Sequence, residues 1–301
     1  MTTLTQLRDA LATVVVVPVT PFDEDGTPDL DTYALLTGRL VDSGITVLTP
    51  NGNTGEFYAL TQAEARAALE TAMKAGAANV LAGVGHDSAT AIEAARHAQR
   101  SGASMIMIHQ PVHPYVSTEG WVDYHAAIAN AVPELGVVLY IRNERITGGV
   151  IAALADRAPN VIGVKYGLRD ATVFAQVARD AGLDRFTWLA GAAELTAPAF
   201  WAVGARGFTS GLANVAPLLS RELLEALRGN DFGAAMNVWE QVRRFEELRL
   251  ANSSADNVAV VKEALAQLGL CRADVRPPSR ALPAAIKTEV AGILRTWGLS
   301  A

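Results

Sequence analysis

From near its start to about residue 230 the chain alternates short, mostly apolar runs with longer amphipathic stretches. The apolar runs are Val14–Val19, Thr46–Pro50, Asn79–Val84, Ser104–His109, Gly136–Ile141, Val161–Lys165, Phe186–Gly191 and Gly207–Ser210. They are short for helices and lack polar alternation, which is how strands covered on both faces read in a parallel sheet. Between them, Asp29–Ser43, Thr61–Gly76, Ser88–Gly102, Trp121–Val132, Val150–Ala158, Ala171–Ala181, Glu194–Gly204 and Pro217–Arg228 read as helices. Thr61, with Glu64 three residues on, forms the capping-box pattern of a helix start. Eight strand–helix units predict an α/β fold, a closed (β/α)8 TIM barrel. An open doubly wound sheet is the other solution, but no Gly-x-Gly-x-x-Gly turn follows the first run.

After Gly211 the strand signals stop. Asp231–Leu250, Asn257–Leu268 and Leu282–Thr296 read as three more helices, with the Pro277–Pro278 stretch a loop before the last. The expected organisation is a barrel over residues 1–230 and a C-terminal helical extension over 231–301.

Composition narrows the function classes. Charged residues are 19% of the chain, below the usual share of about 25%, so most of the sequence must be interior. A net charge of −6 without a basic run argues against nucleic acid and against an anionic membrane surface. The single cysteine, Cys271, can build neither an internal disulfide nor a thiolate zinc site and fits a reducing cytoplasm. The apolar run near the N-terminus is too short to span a bilayer and lacks a cleavage pattern. The expectation is a soluble cytoplasmic protein.

In barrels of this class active sites lie at the C-terminal ends of the strands. Only four lysines occur, Lys74, Lys165, Lys262 and Lys287. Three fall on predicted helices and read as solvated. Lys165 closes the apolar run Val161-Ile162-Gly163-Val164, so its amine would point into the barrel mouth. Burial disfavours the charged form, and a neutral amine can condense with a ketone. A lysine paired with a carboxylate at the rim is the plainer alternative.

The second run ends in Pro50-Asn51-Gly52-Asn53-Thr54-Gly55-Glu56. Its glycines permit a sharp turn whose amides, with the Thr54 hydroxyl, could hold a carboxylate; an ordinary strand-to-helix loop reads the same way. The fifth run carries Tyr140, a possible proton carrier or simply a packed aromatic, and is followed by Arg142 and Arg145, candidates for a second carboxylate. After the fourth run come His109 and His113, but Pro111 and Pro114 forbid the helix that would put them on one face, and no third ligand shows metal-site spacing. No metal or other cofactor is expected.

Taken together the pattern resembles the dihydrodipicolinate synthase and N-acetylneuraminate lyase superfamily. The stretches that carry the resemblance are VVPVTPF at Val16–Phe22, NGNTGEFYALT at Asn51–Thr61, VVLYIRNERITG at Val137–Gly148, VIGVKYG at Val161–Gly167, LAGAAEL at Leu189–Leu195 and GARGFTSGLANVAP at Gly204–Pro217. The resemblance implies that Lys165 is the imine-forming lysine and Tyr140 the proton-shuttling tyrosine. It implies that Asn53 and Thr54 bind the carboxylate beside the ketone and that Gly191 and Thr209 line the pocket opposite. It further implies a class I lyase acting on a small 2-keto acid through a pyruvate-type enamine, and a homo-oligomer, dimer or tetramer.

Two departures from the synthase pattern stand out. Asn53 replaces the first of two adjacent threonines, and His113 falls where the synthase has a tyrosine that reaches a neighbouring subunit. Arg145 lies at or near the arginine that grips the synthase's second substrate. The loop is closer to the branch that dehydrates or cleaves 2-keto-3-deoxy sugar acids, with His113 a candidate acid and Glu56 structural. The alternatives are the 4-hydroxy-tetrahydrodipicolinate (dihydrodipicolinate) synthase of lysine biosynthesis, a metal-dependent aldolase or isomerase using His109, His113 and His125, and a non-catalytic member that binds a keto acid.

Overall fold

The computed structural model describes residues 2–299. Its strands are β1 (Val14–Val16), β2 (Val47–Leu48), β3 (Asn79–Val84), β4 (Met105–Ile108), β5 (Gly136–Ile141), β6 (Val161–Tyr166), β7 (Thr187–Ala190) and β8 (Gly207–Ser210). Its helices are α1 (Leu4–Ala10), α2 (Leu30–Asp42), α3 (Gln62–Met73), α4 (Ser88–Arg100), α5 (Thr118–Asn130), α6 (Gly148–Arg157), α7 (Ala171–Ala181), α8 (Ala193–Ala202), α9 (Pro217–Arg228), α10 (Phe232–Ser254), α11 (Asn257–Gln267) and α12 (Ala284–Thr296). The strands follow one another in chain order as a closed barrel, and the pairs from β3 to β8 are parallel. The barrel expected from the apolar runs is the fold, and the open sheet is not.

The chain divides into two compact units. One comprises the residues up to Val15 with Ala78–Thr209, the other Val16–Ala77 with the residues from Ser210 on.

In the first unit, the strands are buried along nearly their whole length. Their outward side chains meet helices. Tyr166 of β6 lies 5.4 Å from Phe174 of α7, which stacks on Phe200 of α8 at 4.4 Å, ring centroid to centroid. Helix α1 was not legible as an apolar run. It is seven residues long and rests on a capping box between Thr3 and Gln6. Behind it Leu11 is fully buried and reaches the inner face of β6, where a Cβ on Gly163 would meet Leu11 Cδ1 at 2.8 Å.

In the second unit, β2 is shorter than its apolar run, and β1, whose first two residues belong to the first unit, stops at Val16. Pro18 has no N–H to give a ladder, and the Asn214 side chain takes over. Its Oδ1 accepts from the Val19 N–H at 3.1 Å and its Nδ2 donates to the carbonyls of Val17 at 2.8 Å and Gly211 at 2.9 Å. Helix α3 carries the expected Thr61–Glu64 capping box. Helix α10 kinks at Ala251–Ser253, where the backbone leaves helical angles.

The glycines of the first unit make a stability test. A Cβ at Gly207 would lie 2.5 Å from the Thr13 carbonyl and 2.8 Å from that of Leu11, backbone that cannot step aside. At Gly163 the nearest obstacle is the end of the Leu11 side chain. Gly207→Ala should therefore cost about 3 kcal/mol and Gly163→Ala about 1 kcal/mol, read from denaturant unfolding midpoints; the reverse order would contradict this packing.

Candidate active site

Side chains alternate faces along a strand, and the register of β5 on β6 sets Val138 opposite Gly163 and Tyr140 opposite Lys165. Gly163 faces Leu11 and Val138, while Tyr166, the residue after Lys165, faces the helices. Parity therefore turns Lys165 and Tyr140 to the barrel interior together. Each is the next-to-last residue of its strand. Lys165 is 4% exposed and Tyr140 6%, and the Lys165 Nζ stands 4.3 Å from the centroid of the Tyr140 ring. A buried amine and a buried phenol are thus held side by side where the strands end.

The surroundings fix the phenol. Gln110, after β4, donates through Nε2 to the Tyr140 carbonyl, and the fully buried His109 sets its ring edge-on to Tyr140 at 6.1 Å. Gly167 leaves room for the ring, since a Cβ there would come within 3.0 Å of Tyr140 Cε2. Gly191 is required by close backbone approach: its N–H donates to the Tyr166 carbonyl at 2.8 Å, and a Cβ would meet that same oxygen at 2.6 Å. Thr209, buried at the end of β8, sends its hydroxyl to the Gly191 carbonyl at 3.4 Å.

Two of the sequence candidates sit differently. His113 is exposed, and its Nδ1 accepts from the Tyr115 N–H at 3.2 Å. Arg145 is exposed too, and its guanidinium donates to the Val116 carbonyl at 3.0 Å, tying the loop after β5 to the loop after β4.

In the second unit, Asn53–Gly55 forms one turn of 3₁₀ helix, with Thr54 buried. The turn has no room for larger residues. A Cβ at Gly52 would run into Val17 Cγ1 at 2.5 Å, and one at Gly55 into the Pro18 carbonyl at 2.9 Å. The Thr54 hydroxyl lies 3.5 Å from Asn257 Oδ1. Glu56 is structural, as expected: its carboxylate accepts from Lys262 Nζ at 2.5 Å and from the Arg276 N–H at 2.8 Å.

That contact corrects the reading of Lys262 as solvated. Lys262 is 0% exposed; burial pushes its ammonium below the ordinary lysine range, and Glu56 pulls it back. The signal was present in its flanks, because Val258, Val260, Val261, Ala264 and Leu265 make α11 apolar nearly all round. Lys74 is exposed, and Lys287 pairs with Glu263 at 3.1 Å. Lys165 and Lys262 are therefore the two buried lysines among the described residues, and Lys262 is engaged by a carboxylate.

His125, a ligand in the metal-dependent alternative, is fully buried in α5. Its Nδ1–H donates to the Trp121 carbonyl at 2.7 Å, and its ring lies 3.8 Å from that of Trp121. Among the described residues no three His, Cys, Asp or Glu side chains are grouped to hold a metal ion. Burial lowers the His125 pKa to about 3, opposed by the hydrogen bond to Trp121. Its unfolded pKa is about 6.5, so the unfolded chain takes up the proton first as pH falls. The neutral ring's contribution is complete above about 6.5 and is lost toward 3, by up to about 1.4 kcal/mol per pH unit. His125→Phe should flatten the fall in unfolding free energy between these limits; parallel curves for the two proteins would contradict the burial.

The Dihydrodipicolinate synthetase family matches residues 10–296. A probable 5-dehydro-4-deoxyglucarate dehydratase of Polaromonas naphthalenivorans is 32% identical over 289 residues, 93% of this chain and 94% of the relative. The crystal structure of dihydrodipicolinate synthase from Oceanobacillus iheyensis superposes with a TM-score of 0.93 at 36% identity, covering 98% of this chain and 99% of that one. YagE of E. coli K12, a member of the dihydrodipicolinic acid synthase family solved with pyruvate, superposes with a TM-score of 0.85 at 26% identity over 95% of this chain and 99% of its own. The protein is a (β/α)8-barrel lyase. It belongs to the dihydrodipicolinate synthetase family.

Proposed function

We propose that the protein dehydrates or cleaves a 2-keto-3-deoxy sugar acid through a Schiff base on Lys165. The observation that carries this reading is the buried Lys165 amine 4.3 Å from the Tyr140 ring centroid, inside the strand ends. The Lys165 amine adds to the C2 ketone and water leaves, giving a protonated imine that acts as an electron sink. Loss of a C3 proton gives an enamine, and expulsion of the C4 hydroxyl as water completes a dehydration. In the cleaving variant the C3–C4 bond breaks instead, its electron pair forming the enamine and the C4 hydroxyl proton leaving to the base. After cleavage the enamine takes a proton at C3 and returns to the imine, and hydrolysis of the imine frees Lys165 in either case. Tyr140 carries protons between these oxygens and carbons, and the amides and hydroxyl of the Asn53–Thr54 turn take the substrate's carboxylate through donors already in place. Gly191 and Thr209 line the pocket.

Asn53 and His113 support a sugar-acid substrate over the aspartate semialdehyde of the synthase, because they remove two of the hydroxyls of its proton relay. The Polaromonas relative's name is that of such a dehydratase. The synthase remains the second reading, favoured by the 36% identity to the Oceanobacillus enzyme. Exposed Arg145 is a candidate contact for a distal carboxylate, His113 for a departing hydroxyl.

A panel of 2-keto-3-deoxy aldonic and aldaric acids, with pyruvate plus aspartate semialdehyde alongside, tests the substrate class. Turnover of a sugar acid, read as pyruvate release or semialdehyde formation, is expected; turnover of pyruvate with aspartate semialdehyde alone would replace this reading with the synthase. On the active substrate, Tyr140→Phe should lower kcat by about a hundredfold or more while leaving imine formation nearly intact. Equal loss of both would reduce Tyr140 to a pocket wall.

A further inference from the structure

We propose that Lys262 is a positioning residue for keto-acid binding: through Glu56 it holds the Asn53–Thr54 turn in the shape that accepts the substrate carboxylate. The inference rests on the reading of that turn as the carboxylate site.

The turn does not hold itself. Glu56 lies between two 3₁₀ turns, Asn53–Gly55 and Phe57–Ala59, with φ of 59° and ψ of 35°, a left-handed conformation that non-glycine residues rarely adopt. Something outside the turn must stabilise it, and both oxygens of the Glu56 carboxylate are committed. Oε1 accepts from Lys262 Nζ at 2.5 Å and Oε2 from the Arg276 N–H at 2.8 Å. Lys262 is itself fixed from two further sides, since its Nζ donates to the Asp274 carbonyl at 2.7 Å and lies 3.9 Å from the Phe22 ring centroid. Arg276 is anchored in turn by Glu64 at 2.6 Å and by the Gly26 carbonyl at 2.6 Å. Across the turn, the Thr20 hydroxyl donates to the Gly55 carbonyl at 2.8 Å. The first residue of α11, Asn257, reaches the Thr54 hydroxyl, so one helix touches both Thr54 and Glu56.

The charge balance makes Lys262 the critical member. Removing one partner of a buried pair leaves the other uncompensated. With Lys262 gone, the Glu56 carboxylate is left buried without its countercharge, and the left-handed residue loses the contact that holds it. The amides on either side then lose their aim. The same geometry rules Lys262 out as a second nucleophile, because its amine is an ammonium donor to Glu56 and to Asp274.

The full-length Lys262→Met protein should show a KM for the keto acid, and a pyruvate dissociation constant, raised about ten- to a hundredfold, with kcat at saturation changed less than about threefold. Amide hydrogen exchange across residues 51–57 should quicken in the same variant, a readout that needs no turnover. Adding Glu56→Gln to Lys262→Met should recover most of the affinity, because the neutral amide needs no countercharge and still accepts from Arg276. Unchanged KM with lower thermal stability, or loss in kcat alone, would make the pair merely structural and overturn the inference, as would unchanged exchange across the turn. Quickened exchange with no effect of the turn on pyruvate binding would overturn the parent reading of the carboxylate site instead. Should Lys262→Met fail to fold, Glu56→Gln alone is measured; it removes the charge, and an unaltered KM and exchange there would equally overturn the proposal.

Discussion

An amine held out of water on the inner face of a barrel strand, with a phenol beside it, is the constraint on which the rest depends. A charged lysine in that position is costly to desolvate, and a sequence with four lysines places two of them where water does not reach. Lys262 is matched by a carboxylate at 2.5 Å, as a buried structural cation must be. Lys165 Nζ lies 4.3 Å from the centroid of the Tyr140 ring, and in the proposed chemistry that phenol carries protons for the imine.

The barrel supplies that constraint by parity alone. Once β5 and β6 pair with Tyr140 opposite Lys165, both side chains must share a face, and Gly163 and Val138 below them mark that face as the interior. Gly167 and Gly191 act by omission, since a methyl at either would strike the phenol or the Tyr166 carbonyl. In the second unit the same logic uses charge in place of space. Its glycines let the Asn53–Gly55 turn close, and the Glu56–Lys262 pair stops it from relaxing.

Much of this was legible in the chain. Period and length of the apolar runs were enough for the barrel, and the scarcity of lysine singled out Lys165. What escaped did so for physical reasons. Helix α1 is too short to show a periodic face and announces itself only through Thr3 and Gln6. The early end of β1 follows from Asn214 satisfying backbone groups from about 195 residues away, which no local pattern encodes. The burial of Lys262 depended on a partner 206 positions distant, although its valine-rich flanks were a usable hint. His113 and Arg145 stood out as polar residues after strands, but such residues are as often loop ties as ligands, and Arg145 does tie two loops.

The central claim is most directly tested by reducing the protein with borohydride in the presence of pyruvate and mapping the product by peptide mass spectrometry. The account predicts one stable adduct per chain, on the peptide that contains Lys165. An adduct on Lys262 or another residue, or none at all, would contradict it.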